Sequence, residues 1–177
     1  MSKGNLFLVG MMGAGKTTLG RALAQRLGRE FADTDRVLVE RTGVAVSTIF
    51  EIEGEEGFRK REAAVLAELA EREGLVIATG GGAVLLEENR ALMRRRGTVI
   101  YLRARLESLW ERTRYDSNRP LLRAPNPRAR LDELLTAREP LYREVAHVVV
   151  DTGAQSAASL ANKVIAALRA HDPELAP

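Results

Sequence analysis

The chain has 177 residues, 45% of them hydrophobic and 29% charged, a length that suits one domain over residues 1–177 and buries about 70% of the surface that the unfolded form exposes. It contains no cysteine, which excludes disulfides and thiolate metal sites and leaves the redox compartment open. Twenty-seven basic residues against 24 acidic ones give a net charge of only +3, too balanced for a general nucleic-acid binder.

The basic residues are 23 arginines and 4 lysines. Guanidinium forks suit phosphates and carboxylates, although genomic base composition accounts for such an excess equally well. Lys3 followed by Leu6–Val9 and Met11-Met12 has the outline of a secretion signal, but Gly10, Gly13, Gly15 and Lys16 interrupt it. No apolar run reaches the length of a membrane span. The expectation is a soluble cytoplasmic protein with neither membrane nor nucleic acid as partner.

In chain order, the first predicted element is a strand at Leu6–Val9, followed by a helix at Lys16–Leu27 that stops at Gly28. A short, weakly apolar strand is predicted at Glu30–Asp33 and a short helix at Arg36–Arg41. A longer helix is predicted over Glu55–Glu73, with Phe58, Val65, Leu66 and Leu69 on one face and Gly74 as its stop. Strands follow at Leu75–Ala78, Thr98–Leu102 and Val148–Val150, and a last helix at Ser156–Ala170. Continuous rather than alternating apolar runs belong to strands covered on both faces, so the fold class is α/β with a parallel sheet between helical layers. Between Arg112 and Arg130 the chain is polar and basic and carries Pro120, Pro125 and Pro127. It reads as a mobile surface lid at about 112–127. Asp172–Pro177 reads as a frayed tail.

Gly10-Met11-Met12-Gly13-Ala14-Gly15-Lys16-Thr17 fits G-x-x-x-x-G-K-[ST] in its confirming context, after a strand and opening a helix. Backbone N–H groups would cradle phosphates, Lys16 would reach the β- and γ-phosphates and Thr17 would ligate Mg²⁺. Asp33 and Asp35 follow the second strand; one could hold a water of the metal shell and the other a substrate hydroxyl, while capping of the next helix is the ordinary alternative. Arg59 has Glu55 at i−4 and Glu62 at i+3, an arrangement that orients a guanidinium or forms a plain solvated face. Gly80-Gly81-Gly82, after a buried strand, requires something close to the backbone. These motifs share the carboxyl ends of the strands, where ligands gather in parallel sheets. Arg119 in the lid is a candidate arginine finger, and Arg138 is a further candidate. Arg94–Arg96 complement a helix C-terminus, and His147, His171 and Trp110 read as structural or surface residues.

The set GMMGAGKTT, DTD, GEEGFRKRE, ATGGGAV, RTRYDSNRPLL and REPLY, in this order over roughly residues 5–155, resembles the shikimate kinases, small P-loop kinases. The resemblance implies a five-stranded parallel sheet of order 2-3-1-4-5 and ATP-dependent phosphorylation of the 3-hydroxyl of shikimate. It implies ATP binding by Gly13, Ala14, Gly15, Lys16, Thr17 and Thr18, with Arg112, Arg119 and Gln155 completing the nucleotide site, Arg112 and Gln155 at adenine. Mg²⁺ would be held directly by Thr17 and through water by Asp33. Acceptor binding would fall to Asp35, Arg59, Gly80, Gly81, Gly82 and Arg138, in a region of about 33–62 and beyond. Lys16, Asp35 and Arg119 would be catalytic, with Asp35 the base. Val46, Phe50, Phe58, Pro120 and Leu121 would wall the acceptor pocket. A monomer is expected, with ATP and shikimate as its small-molecule partners. The alternatives are a kinase for another hydroxy acid such as gluconate, or a nucleotide-binding regulator without transfer activity.

Overall fold

Leu6, Phe7, Leu8 and Val9 have no exposed surface, which is possible only for a strand with neighbours on both edges and helices on both faces. In the computed structural model, which describes residues 4–116 and 118–176, they lie in β1 (Asn5–Val9) at the middle of the sheet. The other strands are β2 (Glu30–Asp33), β3 (Leu75–Ala78), β4 (Gly97–Arg103) and β5 (Val148–Asp151). All four pairings are parallel and the order is β2-β3-β1-β4-β5, as the resemblance implies. The helices are α1 (Lys16–Leu27), α2 (Thr34–Thr42), α3 (Val46–Glu71), α4 (Glu87–Arg96), α5 (Leu106–Thr113), α6 (Pro127–Val145) and α7 (Ala157–His171).

Right-handed crossovers decide which face each helix covers. The chain moves one way across the sheet from β1 to β2, and the opposite way from β2 to β3, β3 to β4 and β4 to β5. Helix α1 therefore falls on one face and α3, α4 and α6 on the other. Helix α7, which follows the last strand, returns to pack on α1. Register then brings strand ends together: Asp33 pairs with Ala78, Ala78 with Leu8, and Leu8 with Ile100. The loops after β1, β2 and β3 consequently leave the sheet at one level.

Three sequence expectations are corrected. The helix expected at Glu55–Glu73 begins nine residues earlier, at Val46, and breaks at Gly54, whose φ of 71° and ψ of −179° are not helical. The acidic run Glu51–Glu56 hides the first segment, because only Val46, Ile49 and Phe50 carry its apolar face. The lid narrows, because Arg112 belongs to α5 and Pro127 is already the first residue of α6, capped by the Asn126 side chain. Proline at the first helical position starts a helix rather than breaking it. Finally, the tail docks: Pro173–Leu175 form a 3₁₀ turn capped by Asp172, Ala176 is buried, and its carbonyl accepts from Arg169 Nε at 2.6 Å. Pro177 lies outside the described residues.

Asn5, at the start of β1, ties the sheet to α3. Its Nδ2 donates to the carbonyls of Arg72 (2.7 Å) and Ala70 (3.4 Å) at the end of that helix, and its Oδ1 accepts from Leu75 N (2.9 Å). These bonds satisfy helix carbonyls that have no intrahelical partner. Asn5→Ala is expected to lower unfolding stability by about 2–3 kcal/mol, since buried groups lose their partners. Urea unfolding checks this; a loss below about 0.5 kcal/mol would show that water replaces the side chain.

Candidate functional site

The loop from Gly10 to Gly15 needs backbone that only glycine adopts easily. Gly13 has φ 80°, and a Cβ there would lie 2.7 Å from Thr113 Cγ2. Gly15 (φ 94°) opens α1, where no side chain caps the helix. The first amides of α1 are thus left for an anion, which the helix dipole favours. Lys16 curls back over this loop and donates to the carbonyls of Gly10 (2.5 Å) and Met11 (2.9 Å). Desolvation lowers its pKa to about 8 against the opposing pull of Asp35. Thr17 Oγ1 donates to Asp33 Oδ2 at 2.6 Å.

The capping role weighed for the aspartate pair goes to Asp33. Its Oδ1 accepts from the N–H groups of Asp35 (3.0 Å) and Arg36 (3.3 Å) and so caps α2. Asp35 is thereby free to face the cavity from the first turn of α2. Its Oδ1 is buried without a hydrogen-bond partner. Burial, reinforced by Asp33, raises its pKa although Lys16, Arg119 and Arg59 oppose the rise.

Arg59 does not lie on a solvated face. It is 9% exposed, and its guanidinium pairs with Glu62 (3.0 Å) and Glu55 (3.4 Å). Arg138, on α6, is 2% exposed. Both guanidiniums converge on the glycine triplet: a Cβ on Gly82 would collide with Arg59, and one on Gly81 would press on Met12 N (3.3 Å) and Arg138 (3.4 Å). A Cβ on Gly80 would collide with Glu62 Oε2, a buried oxygen without a hydrogen-bond partner. Burial raises the Glu62 pKa, against Arg59. The triplet is also less uniform than its sequence suggests. The Gly80 N–H donates to Thr34 Oγ1 at 3.2 Å, so it is already committed to the protein.

Two cavities meet here. One, of about 440 Å³, contains Arg59, Glu62, Gly82 and Arg138 and is walled by Val46, Phe50, Phe58, Pro120 and Leu121, the wall expected from sequence. The other, of about 280 Å³, contains Gly13, Gly15, Lys16, Thr17, Thr18, Asp33 and Arg112. Met12, Asp35, Gly80, Gly81 and Arg119 line both. Arg119 is held by Asp116 at 2.9 Å. Arg112 donates to the carbonyls of Gly13 (3.0 Å) and Gly153 (2.8 Å) and so ties the phosphate loop to the loop after β5. Ala14, between the two loop glycines, is buried. Gln155 is not brought to this cavity: its Oε1 accepts from Gly153 N at 2.7 Å within its own loop, and it lines a separate groove with Arg103 and Lys163.

Of the residues set aside in the sequence, Arg94, His147 and Trp110 have structural roles. Arg94 sits in the last turn of α4 and also donates to Val145 O (3.0 Å) at the end of α6. His147 Nδ1 accepts from Val99 N at 2.9 Å, extending the β4–β5 pairing, and Trp110 packs on the core. Sequence reasoning missed Val44 in the wall of the larger cavity, along with Thr34 and Tyr142, which hold the glycine triplet. Their signals were their places inside DTD and REPLY, which do not reveal a partner 46 or 61 residues away.

A family profile described as Shikimate kinase matches residues 12–169. A shikimate kinase of Nitrosospira multiformis is 58% identical over 161 residues, 91% of this chain and 83% of that protein. The chain belongs to the shikimate kinase family. The structure of a shikimate kinase from Acinetobacter baumannii in complex with shikimate is similar at a TM-score of 0.94 and 49% identity, covering 96% of this chain and 95% of that one. A gluconokinase from Sinorhizobium meliloti, 20% identical over 97% of this chain and 95% of its own, shares the fold alone at a TM-score of 0.61.

The Lys16 environment predicts that binding of a polyphosphate depends on pH. Below about pH 8 the ammonium is already charged; above it, a polyphosphate must draw a proton onto Lys16. Calorimetric titration of Mg-ATP, whose terminal phosphate is already deprotonated over this range, in buffers of different ionisation enthalpy is expected to show proton uptake near zero at about pH 6.5 and about half a proton near pH 8. Uptake absent at both values would place the Lys16 pKa near that of a free lysine.

Proposed function

We propose that the protein transfers the γ-phosphoryl group of ATP to the 3-hydroxyl of shikimate, giving shikimate 3-phosphate and ADP. The observation that carries the reading is that two cavities of different chemistry share Asp35, Gly80, Gly81 and Arg119. A hydroxyl bound in the larger cavity meets a phosphate bound in the smaller one. The smaller cavity offers helix N-terminal amides, Lys16 and Arg112. The larger offers two buried guanidiniums, which suit a carboxylate, and carboxylate and amide groups, which suit ring hydroxyls.

In this reading the acceptor carboxylate lies between Arg59 and Arg138, and its ring packs on Phe50, Phe58 and Leu121. Asp35 accepts the hydrogen bond of the attacking hydroxyl and takes its proton as the oxygen–phosphorus bond forms and the bond to the ADP oxygen breaks. A raised pKa suits that task, because it brings the base closer to working pH. The loose transition state asks mainly for positioning and charge stabilisation. Lys16 and Arg119 supply the charge, Arg119 from the boundary of the two cavities. Thr17 and Asp33 present adjacent hard oxygens at the phosphate cavity, a donor set that fits Mg²⁺ completed by phosphate oxygens and water. A Mg²⁺ held there by Thr17 and, through water, by Asp33 would supply neutralisation of phosphate charge. Gln155 is left without a proposed contact. One chain contributes every group named here, and the reading is of a monomer acting in the cytoplasm. Among the described residues no helix is long and apolar enough to cross a membrane.

A coupled ADP-release assay with Mg-ATP and shikimate, gluconate or no acceptor tests the reading. Turnover is expected with shikimate alone; equal or greater turnover with gluconate would reassign the acceptor. Asp35→Asn is expected to lower kcat by about 10²- to 10⁴-fold with the KM for ATP little changed. Unchanged kcat would remove Asp35 from the transfer step. Arg59→Ala is expected to raise the KM for shikimate by about 10- to 100-fold, the effect of removing one charge-assisted hydrogen bond from a buried site. An unaltered KM would mean that Arg138 alone holds the carboxylate.

A further inference from the structure

Three consecutive glycines are the least constrained backbone a sequence can encode, yet amides that bind a substrate must point in fixed directions. The protein supplies the constraint from outside the triplet. The Gly80 N–H donates to Thr34 Oγ1, the Gly80 carbonyl accepts from Ala83 N (3.1 Å), and the Gly82 carbonyl accepts from Leu85 N (3.1 Å). The remaining carbonyl, that of Gly81, accepts from the Tyr142 hydroxyl at 2.5 Å. The N–H groups of Gly81 and Gly82 are then left as the donors of the triplet.

A trans peptide is planar, with its C=O and N–H pointing in opposite directions. Whatever fixes the Gly81 carbonyl therefore also fixes the Gly82 N–H. Gly82 lines the acceptor cavity and touches Arg59, whereas Tyr142 is fully buried behind the loop and does not line the cavity. The Gly81–Gly82 peptide thus spans from the buried phenol to the acceptor site. Tyr142 follows Arg138 by one turn on α6, and that guanidinium faces the same hydroxyl. Tyr142 in turn stacks on Tyr101 with ring centroids 5.0 Å apart, and the Tyr101 hydroxyl donates to Glu139.

We propose that Tyr142 is a positioning residue for the acceptor. Its hydroxyl orients the Gly81–Gly82 peptide so that the Gly82 N–H faces the acceptor cavity, and it braces Arg138 where that guanidinium lies against Gly81. The inference rests on the shikimate kinase reading and adds to it a group that does not touch the substrate. Burial pushes the phenol up to about 12, so it remains a neutral donor throughout the working range. A ring that merely filled the core would need no hydroxyl, and phenylalanine would serve as well.

The test is Tyr142→Phe, which keeps the ring and its stacking and removes one oxygen. Wild-type turnover with shikimate is measured first, so that failure of the functional reading is seen before the variant is made. The expected result is a KM for shikimate raised about three- to tenfold, the range set by one net hydrogen bond, with the KM for ATP changed by less than about twofold. Some loss of thermal stability accompanies either role and does not discriminate between them. A KM for shikimate that does not move, or KM values for both substrates that rise together, would overturn the proposal and leave Tyr142 a core residue.

Discussion

Two guanidinium groups lie against glycine backbone at the carboxyl end of β3, and the arrangement of the larger cavity depends on that close approach. A side chain at Gly82 would displace Arg59, and one at Gly80 would displace Glu62. The space that the missing Cβ atoms leave is occupied by charged groups brought from α3 and α6, two helices on the same face of the sheet. Both helices reach the turn that follows β3, and the strand order puts that turn between the edge strand and the centre. The sheet thus determines where the arginines meet, and glycine determines how near the backbone they come.

Buried charge at this density requires balance. Arg59, Arg138 and Lys16 stand near Asp35, Glu62 and Asp33, and both Asp35 and Glu62 keep one buried oxygen without a protein partner. Isolated buried charges are costly. A site in which acids and bases are interleaved can retain them within one small cavity while leaving particular atoms unsatisfied. In the proposed reading a ring hydroxyl of the acceptor donates to Asp35, and the acceptor carboxylate meets the guanidiniums. Burial has opposite consequences for the two signs: it lowers the pKa of Lys16 and raises those of Asp35 and Glu62. Both shifts move the groups toward neutral pH, as burial does for charge of either sign.

The glycine loop that lines the smaller cavity was legible from sequence because its physics is local. Gly10 to Thr17 are consecutive, and a strand before them with a helix after them is sufficient to specify a cradle of amides. The strands were legible for a similar reason: runs such as Leu6–Val9 and Leu75–Ala78 admit few other uses. The first segment of α3 was hidden by the acidic residues around Gly54. The docked tail was hidden because its acceptors are carbonyls, and carbonyls carry no sequence signature. Arg59 was ambiguous for a different reason. Glu at i−4 and i+3 describes a surface ladder as well as a buried clamp, and only the packing of α3 against the loop after β3 distinguishes the two.

The larger cavity joins residues from α2, α3, α6 and the loop after β3, and the polar contacts that hold that loop run 46 and 61 residues along the chain. A phosphate loop carries its geometry in its own backbone and works wherever a strand meets a helix. An acceptor site assembled from distant elements has geometry only once the fold is complete, so its precision depends on groups such as Thr34 and Tyr142, which touch the loop from behind. Two kinases can therefore share sheet, helices and phosphate loop while differing in the acceptor they take. The difference lies in which side chains the same helices direct to the carboxyl end of β3, and in how firmly the backbone there is held.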